Sequence, residues 1–179
     1  AANRHQCDIT GRLTNFDRAS GKDKSEFQGL LFNDSDVYKM LEGWAYLLAT
    51  DTDAARRADL ETKFDAEVAR IAAAQQPDGY INSYYTVKAG IDKRWTREEH
   101  DHETYCIGHL IEAGIAHFEA TGKRTLLDVA IKGADHIATI FGKGKLEEPS
   151  GHEDRRARVA RQRPGPGIPR RVASPQSPT

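Results

Sequence analysis

Cysteine is scarce: Cys7 and Cys106 are the two in 179 residues, and they stand far apart. A disulfide framework and a zinc knuckle both need close-spaced pairs, so both are excluded. Long apolar runs are missing too, and none approaches the roughly 20 residues that span a bilayer. The start of the chain, Ala1 to His5, carries no apolar stretch, so no secretory signal is expected and the cytoplasm is the expected compartment. Alternation of apolar and polar residues is absent over any useful length, which leaves an all-β fold without support. What remains is one water-facing domain, 38% hydrophobic and 30% charged.

Net charge is also nearly absent, at −1, but that figure hides two opposite parts. Residues 154–179 contain seven arginines, no lysine and one acid, a sum of +6 that leaves −7 on residues 1–153. The same stretch holds five of the seven prolines and no aromatic residue. It has neither a helical nor a strand period, so it cannot bury enough surface to offset the entropy of ordering. A disordered tail is expected there. An arginine-rich arm for nucleic acid is one origin for such a segment, and a linker is another. Translation out of frame is the third, because GC-rich coding sequence in the wrong frame yields Arg, Pro, Gly, Ala and Ser. The body uses ten lysines and nine arginines, so a lysine-free tail fits the third origin best. An acidic body is moreover a poor platform for nucleic acid. Neither a nucleic-acid nor a membrane partner is expected.

The body reads as consecutive helices. Asn33-Asp34-Ser35 offers capping oxygens, and Val37, Met40, Leu41, Trp44, Leu47 and Leu48 then recur at helical spacing as far as Thr50. Asp51-Thr52-Asp53 recaps a second helix, whose stripe is Leu60, Phe64, Val68, Ile71 and Ala72 and which Pro77-Asp78-Gly79 ends. Tyr80 to Trp95 has three tyrosines and no helical period, the signature of a functional loop. Thr96-Arg97-Glu98-Glu99 is a capping-box pattern. From Tyr105 to Phe118 the next helix is apolar or small on nearly every face, interrupted by His109, Glu112 and His117. Such a helix is buried all round. A fourth helix runs from Leu126 to Phe141, closed by Gly142. A fully buried helix alternating with amphipathic ones points to inner and outer layers of a toroid.

Three polar clusters stand out: Asn33-Asp34-Ser35-Asp36, Gln75-x-x-Asp78-Gly79-Tyr80, and His100-Asp101-His102-Glu103 continuing to His109. Taken singly, each is explained by a cap, a turn or a solvated helix start. His102, Cys106 and His109 lie at i, i+4, i+7, yet no HExxH and no second motif completes a metal site, so no metal is assigned. His109 carries more weight, because a histidine inside an apolar helix needs either a backbone carbonyl or a wet cavity. Cys106 reads as a small buried hydrophobe.

In order along the chain, these stretches resemble glycoside hydrolase family 127, the β-L-arabinofuranosidases. The matching pieces are Thr10-Gly11-Arg12-Leu13-x-Asn15-Phe16, Phe32 to Lys39, Gln75-x-x-Asp78-Gly79-Tyr80-Ile81-Asn82, the block His102 to Ala113, Ala134-Asp135-His136-Ile137, and Gly151-His152-Glu153. Unsaturated glucuronyl hydrolases share the Gln-x-x-Asp-Gly turn, but they do not account for the His102–Ala113 block. The resemblance breaks at Asp154, where the composition also changes.

The resemblance implies an all-α fold: residues 1–153 as the N-terminal part of an (α/α)6 barrel, with about four of its twelve helices, followed by the 154–179 tail. It implies a retaining glycosidase acting on arabinofuranose-containing carbohydrate, with a zinc-held cysteine nucleophile and a glutamate acid/base. Those residues belong to the later part of the family pattern, so this stretch is expected to hold no catalytic residue and no zinc, and to be inactive alone. His109 and His152 match family histidines that look like donors to sugar hydroxyls, and Glu103, Asp34 and Asp78 are expected on the same cavity rim. Asp34, Asp78, His102, His109 and His152 should share one side, with His109 more exposed than its apolar neighbours. Exposed inner faces should favour self-association. The alternative is a helical-hairpin binding module without catalysis, although its two hairpins share no fixed-period consensus.

Overall fold

The computed structural model describes residues 2–143 and 145; the tail at 154–179, and what is expected of it, lie outside them. The described residues form α1 (Ala2–Ile9), α2 (Arg12–Ala19), α3 (Asn33–Thr50), α4 (Ala54–Ala74), a π-helical turn (Tyr85–Ala89), a 3₁₀ turn (Ile91–Lys93), α5 (Glu98–Asp101), α6 (Glu103–Thr121) and α7 (Thr125–Ile140). The helices α3 and α6 share the most extensive seam, α7 backs α6, and α4 lies against α2, α3 and α7. This is the layered packing of a partial all-α barrel.

Sequence and structure agree where local chemistry decides. Helix α3 spans the expected residues, and Asp53 caps α4 by accepting from the amides of Ala55 and Arg56. Residues 103–118 are buried round most of the α6 circumference, including His117, which stacks on Phe64 at 3.9 Å between ring centroids.

The structure corrects four local expectations. Asn33, Asp34 and Ser35 do not cap α3, because their side chains bond Gln28, Ser83 and Phe32 instead. Thr96 caps nothing; its hydroxyl donates to the Lys93 carbonyl, and the chain breaks at His102, with φ 58°, before α6 begins. The carboxylate of Glu98 takes up the α6 start, accepting from the Thr104 amide at 2.7 Å. Leu47 is 53% exposed and Ala72 also faces out, so the apolar stripes of α3 and α4 are narrower than the sequence suggests.

Helices α1 and α2 have no counterpart in the sequence reading. Each has eight residues, and no side chain caps α2, too little for a periodic signal. Leu13 and Phe16 of α2 are nonetheless fully buried. A buried carboxylate holds this corner together: Glu67 of α4 takes Arg4 of α1 at 2.8 Å and Arg70 at 3.0 Å. Arg70 reaches on to Asp17 of α2 at 3.3 Å.

Phe64, fully buried between Trp44 and His117, is where α3, α4 and α6 meet. Phe64→Ala should cost about 3–5 kcal/mol, read as a lowered urea midpoint by tryptophan fluorescence.

Candidate functional site

The polar groups of the chain concentrate where the segment from Gln75 to His102 meets the starts of α3 and α6. The segment opens with a turn docked on α7. The side-chain amide of Gln75 donates to the carbonyls of Gly79 and Val129, both at 2.9 Å. Gly79 sits at φ 92° with the Lys132 carbonyl where a Cβ would go, so glycine is required there. Asp78 closes the turn by accepting from the Tyr80 amide at 3.0 Å, and its other oxygen takes Arg94 at 2.7 Å.

Beyond the turn, three buried carboxyl groups hold the segment down. Asp34, at the start of α3 and 1% exposed, accepts from both the amide and the hydroxyl of Ser83. Burial outweighs those bonds and lifts its pKa to about 6. Glu103, at the start of α6 and equally buried, accepts from the Tyr80 hydroxyl at 2.5 Å and the Trp95 amide at 2.7 Å. Burial again dominates and lifts it to about 7. Asp101 takes the Tyr85 hydroxyl at 2.6 Å.

Trp95 adopts φ 63°, a left-handed conformation costing about 1–3 kcal/mol for a bulky residue. Its neighbours over-determine it. The backbone amide goes to Glu103, and the indole lies against His136, donating to Nε2 at 3.1 Å. An indole N–H can only donate, so His136 Nε2 must accept and Nδ1 carries the proton, 3.1 Å from the Asp78 carbonyl. Burial lowers the His136 pKa, in keeping with that neutral tautomer.

Asp34, Glu103 and Asp78 are thus gathered by one loop, Asp34 and Glu103 wholly inside it and Asp78 on its wetter edge. His102 packs edge-on against Phe32. His109 lies almost two turns further along α6, 8% exposed beside apolar neighbours that are at most 1% exposed at 107, 110 and 111. The Tyr105 ring meets it edge-on at 4.6 Å and Glu112 lies 3.1 Å from its Nδ1. His152 lies outside the described residues. Sequence reasoning missed Ser83 and Trp95 as partners of Asp34 and Glu103; the tyrosine-rich loop was the available signal for both.

Cys7 and Cys106 are buried free thiols. Burial raises both, and Cys106 Sγ faces the Phe32 carbonyl. Among the described residues, one trio of possible metal donors occurs, Glu42, His109 and Glu112, and it contains neither cysteine. The zinc–cysteine centre that the resemblance implies for the whole family domain thus finds no fitting donor set among the described residues.

Layered helices whose α3 and α6 starts are bound by a long polar loop are the frame of a helical-barrel domain in part. Residues 3–155 match the family model described as β-L-arabinofuranosidase, GH127 catalytic domain, and the chain belongs to that family. A non-reducing end β-L-arabinofuranosidase of Bifidobacterium longum subsp. longum is 40% identical over 147 residues, covering 79% of this chain and 22% of that protein. A solved GH127 β-L-arabinofuranosidase from Geobacillus stearothermophilus T6 superposes with a TM-score of 0.77 at 44% identity, over 84% of this chain and 24% of that one. A second solved GH127 β-arabinofuranosidase gives the same TM-score at 36% identity, over 88% and 26%. The chain spans about a quarter of the length of these relatives.

Two measurements test the loop network. Tyr80→Phe removes a donor from buried Glu103 and should cost about 1–3 kcal/mol in chemical unfolding. The second uses pH. A carboxyl raised from 4.5 to about 7 keeps its proton in the folded chain after the unfolded chain has lost it. Glu103 therefore favours folding most at low pH, and this contribution is lost as pH rises through that window. His117 and His136, lowered by burial, act in the opposite sense below their ordinary pKa. They cancel when wild type is compared with Glu103→Gln. The difference in unfolding free energy, wild type minus variant, should fall from pH 4.5 to 7 and then level; a flat difference would refute the buried-acid account.

Proposed function

We propose that this chain is the N-terminal part of a catalytic barrel that hydrolyses β-L-arabinofuranosides with retention, and that it is inactive alone. The observation that carries this reading is the family match over residues 3–155, together with an enzyme of that activity at 40% identity. Its natural partner is then an arabinofuranose-containing carbohydrate.

Within this reading the five site residues divide by what their side chains touch. Asp78 keeps its carboxylate near solvent and His109 is more exposed than its apolar neighbours, and with His152 they are the groups proposed to meet sugar hydroxyls. Asp34 and Glu103 spend their oxygens on Ser83, Tyr80 and Trp95, so they are proposed to act as positioning residues that hold the loop lining the cavity. The zinc-held cysteine nucleophile and the glutamate acid/base are proposed to lie in the part of the family domain that this chain does not span. Cys7 and Cys106 are given no chemical role. The arginine-rich 154–179 stretch is proposed to be out-of-frame sequence, and the chain to self-associate through uncovered apolar faces.

The test is direct. Purified chain should not hydrolyse an aryl β-L-arabinofuranoside above background. Turnover that Cys106→Ala abolishes would overturn both the inactivity and the placement of the chemistry.

A further inference from the structure

His117 sits on the last turns of α6 with its side chain wholly inside the core. Its ring lies flat on Phe64 of α4, 3.9 Å between centroids and 12° from parallel. Neither Nδ1 nor Nε2 touches solvent, and no described residue hydrogen-bonds to either of them. His136 is the contrast: it is buried too, but its two nitrogens meet the Trp95 indole and the Asp78 carbonyl. We propose that His117 is a proton-operated latch, which holds α4 to α6 as a neutral ring and lets the two separate when it is charged.

Three observations carry this. The first is cost. A neutral imidazole has one N–H donor and one lone pair, and here both are buried and unpaired. Phenylalanine would stack on Phe64 without that penalty. What the imidazole adds is a charge that switches between about pH 5 and 8. The second is position. Helix α4 packs on α2, α3 and α7, and it reaches α6 through this ring stack. Alongside, Lys123, just beyond α6, takes Asp65 of α4 at 2.8 Å and Glu61 at 3.7 Å. The stack and this clip thus join the same turn of α4. The third is where a charged ring can go. Asp65 and Glu61 of α4 and Lys123 are the charges that act on His117, and among the described residues none of α3 or α7 does so. Two partly exposed acids against one base favour the cation outside the core. A charge kept against Phe64 has no such partner, so protonation favours the open arrangement.

Burial already lowers the His117 pKa from its ordinary 6.5. As pH falls through that value the opened form takes a proton that the closed form resists, so closure is complete above it and weakens below it. The inference is independent of the arabinofuranoside reading, because the latch lies in the helical core and can be tested with no sugar present.

The experiment is hydrogen exchange read by mass spectrometry on the full chain, wild type and His117→Phe, at pH 7 and pH 5, corrected for intrinsic exchange rates. Between the two pH values, wild-type peptides around Phe64 in α4 and His117 in α6 should lose roughly 5- to 20-fold more protection than those of the variant. Peptides of α2 and of the Tyr80–Trp95 loop should show no such difference. Asp34, Glu103 and His136 titrate in both proteins and drop out of the comparison. At pH 5 the variant should also unfold at a higher urea concentration than wild type. A second measurement needs wild type alone: the His117 imidazole resonance, assigned by nuclear magnetic resonance, should titrate below pH 6.5. Equal loss of protection in both proteins, a loss spread evenly over all helices, or a His117 titration at or above 6.5 would overturn the latch.

Discussion

Glu103 is the group on which the site end of this molecule depends. Its two oxygens sit on opposite tasks, one taking the Tyr80 hydroxyl and the other the Trp95 amide. The loop between those residues is thereby closed against the start of α6. A carboxyl so buried would be costly on its own, and its raised pKa records that cost. The arrangement survives because each neighbour is itself committed: Trp95 to His136, His136 to the Asp78 carbonyl, and Asp78 to Arg94. A partly satisfied network of this kind is worse than an apolar core, whereas a complete one sets a single loop conformation. The strained backbone of Trp95 is tolerated for the same reason.

Below that network the character of the fold changes. The helices α3 and α6 share one apolar core to which Val37, Leu41, Ile107 and Leu110 belong, all buried. Beside this core His109 and Glu112 pair on one face of α6, with Glu42 of α3 close by. In a family of sugar-cleaving barrels, an imidazole on an inner helix suits hydroxyl recognition.

The sequence alone determined the helices that carry a strong period or a good cap. Phe64, Val68 and Ile71 align because helical spacing is a local property, and Asp53 caps α4 because its acceptors are two and three residues away. The ordered motifs determined the family, since a string of weak matches in the right order is specific even when none of them is. What tertiary structure decided was the partner of every buried polar group. Asp34 looks like a cap in sequence, but its hydrogen bonds go to Ser83, 49 positions on. Glu42 reads as an ordinary exposed residue until α6 is laid beside α3. Helix periodicity is set by the backbone's own 3.6-residue turn and is visible in any window. The pairing of charges across helices is set by crossing geometry, which no local window contains.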